Sequence, residues 1–137
     1  MRNKKPILLV EDDTIDIMTV KRALKELRIS NELIVRGNGE DALEYLKNED
    51  SVMPCIVLLD LNMPRMNGIE FLKAAKQDDR IRMLPIVVLT TSNQDQDKVE
   101  SFMLSVAGYM VKPVSYINFV EVMKTIDMYW TISDMPD

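Results

Sequence analysis

The sequence predicts an α/β domain, a doubly wound sheet of five parallel strands with helices on both faces. Short apolar runs alternate five times with longer stretches of helical periodicity. Four of those runs are close to wholly apolar, as strands buried on both sides of a parallel sheet must be. The runs also lead into polar or charged residues, which places chemistry at the carboxyl edge of the sheet, where open α/β sheets bind ligands.

The first run, Pro6–Val10 (PILLV), ends in Glu11, Asp12 and Asp13. Thr14–Arg28 follows as an amphipathic helix, with Ile15, Ile17, Met18, Val20, Ala23, Leu24 and Leu27 opposed by Lys21, Arg22, Lys25 and Glu26. Glu32–Arg36 is short and flanked by charge, which suits an edge or near-edge strand. Gly37, Asn38 and Gly39 turn the chain into a second helix carrying Ala42, Leu43, Tyr45 and Leu46, closed by residues 48–54. Cys55–Leu59 holds no polar residue and reads as the central strand. Asp60 is then the first polar group to leave the core, and the turn formers Asn62, Pro64, Asn67 and Gly68 follow.

Ile69–Gln77 carries Phe71, Leu72, Ala74 and Ala75 as a third helix, and Pro85–Leu89 is a fourth strand ending in Thr90, Thr91 and Ser92. Residues 93–97 offer caps for a fourth helix holding Val99, Phe102, Met103 and Val106, which Gly108 should stop. Tyr109–Val111 is a short last strand running into Lys112 and Pro113. Ser115 caps a final helix through Val122, Met123 and Ile126 to about Trp130.

At 137 residues the chain is sized for one domain, here residues 4–132, with 133–137 as a short tail and no output domain. Its apolar fraction of 47% and charged fraction of 28% exclude disordered and low-complexity classes. A net charge of −5 without Lys/Arg clusters gives no footprint for nucleic acid and would be repelled by an anionic membrane. No signal peptide is visible, and no apolar stretch approaches the ~20 residues of a membrane span. The single cysteine, Cys55, reads as core filler, which suits a reducing cytoplasm. With no histidine in the chain, a histidine base, metal ligand or internal phosphohistidine is excluded.

Parallel strands share one carboxyl edge, so Glu11, Asp12, Asp13, Asp60, Thr90, Thr91 and Lys112 meet there. Crowded carboxylates raise one another's pKa unless a cation joins them, and an all-oxygen set points to a hard ion, Mg²⁺ before Ca²⁺. A carboxylate beside such a metal, an ammonium and a hydroxyl can attack phosphorus to give an aspartyl phosphate. Asp60, central and without a charged sequence neighbour, is the candidate nucleophile. Two other readings of such a site are weaker. A haloacid-dehalogenase-like phosphatase wants an acid two residues after the nucleophile, where Asn62 stands, and a flavodoxin wants a first loop rich in Ser, Thr and Gly, where EDDTID stands.

In order along the chain, VEDD, LLDLNMPRMNG, VLTTS and YMVKP resemble the motifs of response-regulator receiver domains of two-component signalling. That resemblance spans nearly the whole chain and implies the flavodoxin-like strand order 2-1-3-4-5. It implies that Asp12 and Asp60 ligate Mg²⁺, that Glu11 holds metal waters, and that Asn62 contributes its backbone carbonyl. Asp60 would accept the phosphoryl group from the phosphohistidine of a partner sensor histidine kinase, with Thr90 and Lys112 contacting the phosphate. Thr90 and Tyr109 would form the switch that alters the last strands and helices, although Tyr109 taken alone reads as core. Asp13 is a third acid, read first as pointing outward or capping the first helix and second as a further metal ligand.

TTSNQDQD and the pair Tyr129-Trp130 are further similar to single-domain regulators serving bacterial phytochromes, which implies a phytochrome-type kinase. Ile117, Phe119, Val120, Val122, Met123, Ile126 and Met128 exceed one core-facing stripe, so the last helix with its neighbouring strand is expected to form a homodimer or a kinase-docking face. Ser92 and Asn93, rather than an acid, follow the threonines, which predicts slow self-dephosphorylation.

Overall fold

Successive side chains of a strand point to opposite faces, so an apolar run is buried throughout only when helices cover both sides of the sheet. The computed structural model, which describes residues 5–63, 65–91 and 93–125, has that arrangement. Its strands are β1 (Ile7–Val10), β2 (Leu33–Arg36), β3 (Ile56–Asp60), β4 (Ile86–Thr90) and β5 (Gly108–Val111). All pair in parallel in the order β2-β1-β3-β4-β5, the flavodoxin-like order, with β2 at one edge.

The helices are α1 (Thr14–Glu26), α2 (Gly39–Lys47), α3 (Gly68–Lys76), α4 (Asn93–Ser101) and α5 (Tyr116–Thr125), with a 3-10 turn at Ile81–Met83. Ile7, Leu9, Ile56, Leu58, Val87 and Leu89 pack with Val20, Ala23 and Leu24 of α1 and Phe119 of α5. The alternate residues Leu8, Val10, Val57, Leu59, Ile86 and Val88 pack with α2, α3 and Val99 of α4. Burying a Leu, Ile or Phe side chain contributes about 1.5–3 kcal/mol, and β1, β3 and β4 are buried along their whole length.

Register places the strand ends side by side. Val10 pairs with Leu59, Asp60 with Leu89 and Thr90 with Val111, so Glu11, Asp60, Thr90 and Lys112 stand in neighbouring rows.

Several boundaries differ from the sequence reading. Asp60 does not leave the core: it is the last residue of β3 and only 4% exposed. The fourth helix stops at Ser101 rather than at Gly108, and Gly108 opens β5. Val99 alone anchors that helix to the core, and residues 102–107 are needed to cross to β5, where the Ala107 N–H bonds the Ile86 carbonyl. Met103 turns out in the left-handed region (φ 56°), and exposed Phe102 instead takes the Lys73 ammonium 3.7 Å from its ring centroid. On α1 the packed stripe runs through Val20, Ala23 and Leu24, leaving Ile15 and Met18 to solvent.

Ser115 caps α5 as expected, its hydroxyl accepting from the Asn118 N–H. Cys55 is buried, and burial pushes its thiol up to about 11. The expectations on Pro64, Ser92, the Met123 side chain, Ile126, Met128, Tyr129 and Trp130 lie outside the described residues.

Candidate phosphorylation and metal site

The carboxyl edge gathers its residues because each strand delivers one polar side chain as its apolar run ends. Glu11 follows β1 and is fully buried, its N–H held by the Arg36 carbonyl at 2.9 Å. Its Oε2 accepts from the N–H groups of Asp12 (3.2 Å) and Asp13 (3.3 Å). Asp12 itself is exposed. Asp13 proves to be the N-cap of α1, accepting from the Asp16 N–H at 3.0 Å, in line with its capping reading.

Asp60 Oδ1 accepts from the Asn62 N–H at 3.2 Å and lies 3.3 Å from Lys112 Nζ. Lys112, just past β5, is anchored through its N–H to the Thr90 carbonyl at 2.9 Å. Its ammonium also meets Glu11 Oε1 at 2.8 Å and Asp16 Oδ2 at 3.0 Å. Thr90 ends β4, is 1% exposed, and donates its hydroxyl to Asp95 Oδ2 at 2.8 Å. Tyr109 lies on β5 opposite Val88 and packs half-buried against the α2–α4 side of the core. Burial and the charge of Glu100 raise its phenol above the usual value.

The loop after Asp60 is held tightly. The Gly68 N–H bonds the Leu61 carbonyl at 3.0 Å, and a Cβ at Gly68 would lie 2.5 Å from Leu61 Cα and 2.8 Å from the Asp60 carbonyl oxygen. Asn67 and Glu70 form a capping box that starts α3, and the Gly39 N–H ties the Met66 carbonyl to the start of α2 at 2.8 Å. The exposed Arg65–Glu40 pair adds little.

Around Lys112 the carboxylates of Glu11, Asp12, Asp16 and Asp60 outnumber one ammonium. Burial, opposed by Lys112 and reinforced by Asp60, pushes Glu11 up to about 7. For Lys112, burial acts downward, but Glu11, Asp16 and Asp60 outweigh it and hold the ammonium above the usual lysine range. Oxygens of Glu11, Asp12 and Asp60 lie within 4.8 Å of one another. Among the described residues, Glu11 Oε1 is fully buried and meets the Lys112 ammonium at 2.8 Å. An all-oxygen set of three carboxylates, with more negative charge than one ammonium offsets, fits a hard divalent cation.

Residues 7–124 match the response regulator receiver domain family. The chain belongs to that family. As a receiver it is a response regulator of two-component signalling. It is 36% identical to "Response regulator Rcp1" of Synechocystis sp. (strain ATCC 27184 / PCC 6803 / Kazusa), over 92% of this chain and 88% of that one. The Mn²⁺-bound form of Rcp1 superposes with a TM-score of 0.75, at 35% identity over 97% and 99% of the two chains. The bacteriophytochrome response regulator RtBRR matches with a TM-score of 0.86 and 37% identity, covering all of this receiver and 85% of that chain. The phosphorylated cyanobacterial phytochrome response regulator RcpA matches with 0.74 and 32%, covering 92% and 93%.

The structure thus brings together Glu11, Asp12, Asp60 and Lys112 as the sequence suggested, puts the Asn62 N–H on Asp60, and leaves Tyr109 beyond them on β5. Two acids were missed. Asp16 and Asp95 each sit in the first turn of a helix that starts just past a strand end. Side chains there tilt back toward the helix N-terminus, hence toward the site, and this direction was the available signal.

Proposed function

We propose that this receiver takes a phosphoryl group on Asp60 from the phosphohistidine of a sensor histidine kinase, with Mg²⁺ at Glu11, Asp12 and Asp60. The observation that carries the reading is the buried Asp60 carboxylate sharing Lys112 with Glu11 inside an oxygen-only cluster. The Asn62 backbone carbonyl would complete the metal's protein ligands.

An Asp60 oxygen attacks phosphorus, the bond from phosphorus to the donor's imidazole breaks, and the imidazole leaves. Bound Mg²⁺ would neutralise charge on the phosphoryl oxygens and on the acids. Lys112 supplies an ammonium to a phosphoryl oxygen, and the Asn62 N–H orients Asp60. Thr90 must give up Asp95 to donate to the phosphate. Tyr109, two positions along the neighbouring strand from the row of Thr90, follows that movement and changes the surface of β5 and α5. RtBRR and RcpA, named for phytochromes, support a phytochrome-type kinase as donor.

Incubation with acetyl phosphate and Mg²⁺ should add one phosphoryl group to the wild type and none to Asp60→Asn, and phosphotransfer from a phytochrome-type kinase should follow the same rule. Sustained turnover of phosphate esters would favour the phosphatase reading instead.

Val111 and Ile117 expose apolar side chains on β5 and α5, which supports a homodimer through that face. A monomeric mass by light scattering, with and without a phosphate mimic, would exclude it.

A further inference from the structure

Lys112 Nζ has three donors and three carboxylate neighbours, Glu11, Asp16 and Asp60. Glu11 and Asp60 belong to the group that can hold a cation, and Asp60 loses its free carboxylate once it carries a phosphoryl group. Asp16 stands outside that group and is not consumed when Asp60 is phosphorylated. It also makes a hydrogen bond to the ammonium at 3.0 Å.

We propose, resting on the phosphoacceptor reading above, that Asp16 is a positioning residue that holds the Lys112 ammonium from the α1 side while its other donors turn to the incoming phosphoryl group. A lysine is a flexible stem with a point charge at its end, and it loses most of its rotamer freedom when it must meet one oxygen. A fixed anion on the far side removes that freedom beforehand.

Asp16 is itself fixed. Its N–H is bonded to the Asp13 cap, its position in the first turn of α1 directs its side chain back toward the strand edge, and its side chain is 27% exposed. On the other side, Lys112 is tied through its backbone to Thr90. The pair therefore joins the start of α1 to the end of β5 at the level of Asp60, across 96 residues of sequence. The cap at Asp13 acquires a role in this chain of contacts, because it sets the residue that sets the lysine.

The test compares wild type, Asp16→Ala, Asp16→Asn and Asp60→Asn in the full chain. Phosphorylation by acetyl phosphate is followed by intact mass at saturating Mg²⁺, so that metal affinity does not enter. Side-chain ¹³C relaxation at Lys112 Cε is measured in the presence of Mg²⁺ and beryllofluoride.

Loss of one hydrogen bond to a charged group predicts phosphorylation about tenfold slower in Asp16→Ala, with Lys112 Cε changing from ordered to mobile. Asp16→Asn should slow less, because its amide oxygen still accepts. Wild-type rates in both Asp16 variants overturn the inference alone. So does a slow rate with Lys112 as ordered as in the wild type, since Asp16 then acts only through α1. Absence of phosphorylation in the wild type, or its persistence in Asp60→Asn, overturns the phosphoacceptor reading and the inference with it.

Discussion

Replacing Glu11 with Gln tests whether the site stores unfavourable charge that a cation relieves. Burial, opposed by Lys112 and reinforced by Asp60, pushes this carboxyl from 4.5 up to about 7. Such a displacement disfavours its charged form in the folded chain by about 3 kcal/mol at most. The folded state then binds more protons than the unfolded state between those two values. Stability therefore falls as pH rises through that window, and the full penalty stands above it. Glutamine keeps the shape and removes the charge, but it also weakens the contact with Lys112, which retains Asp16 and Asp60. The expected net gain without metal is about 1–2 kcal/mol at about pH 8, a rise of a few degrees in Tm. At about pH 5 Glu11 is already protonated in the folded wild type, so the gain should shrink to a fraction. Saturating Mg²⁺ should reverse the order, because the wild type then gains a ligand interaction that the variant lacks. Urea denaturation at both pH values, with chelator and with Mg²⁺, measures all of this. A variant less stable than wild type at the higher pH without metal would refute the reasoning, as would an equal gain at the lower pH.

The same displaced carboxyl makes metal binding pH-dependent: Mg²⁺ affinity should weaken as pH falls through about 7 and Glu11 takes up its proton, and a flat calorimetric profile from about pH 8 to 6 would contradict it. Gly68→Ala forces a Cβ to within 2.5 Å of Leu61 Cα. It should cost about 1–3 kcal/mol by overpacking and slow phosphorylation by shifting the Asp60 carbonyl, both measurable on one preparation. Slow self-dephosphorylation remains the expected behaviour, since Ser92 and Asn93, rather than an acid, follow Thr90 and Thr91; a phospho-Asp60 half-life of seconds would count against it.

The fold was legible because burial on both faces imposes an unambiguous pattern. PILLV, CIVLL and PIVVL each lack a polar residue, and the charged flanks of ELIVR mark the strand that proves to be the sheet edge. The acid-rich strand ends were legible for the same reason, since Glu11, Asp60, Thr90 and Lys112 each follow or end an apolar run. Less was readable where apolar residues need not be buried. Phe102 and Met103 continue a helical period but face solvent, because one anchoring residue, Val99, suffices to seat α4. Asp16 and Asp95 were hidden because a first-turn acid is ordinarily a favourable partner of the helix dipole. Only the three-dimensional edge shows what else those acids reach.

The central claim is that Asp60 is phosphorylated with help from a metal. Acyl phosphates are reduced by borohydride to the alcohol, so treatment with acetyl phosphate and then borohydride converts a phosphorylated aspartate to homoserine, which peptide mass spectrometry locates. The account predicts homoserine at position 60 with Mg²⁺ present and none after chelation. Homoserine at Asp12 or Asp13 instead, or equal conversion at Asp60 without metal, would contradict it.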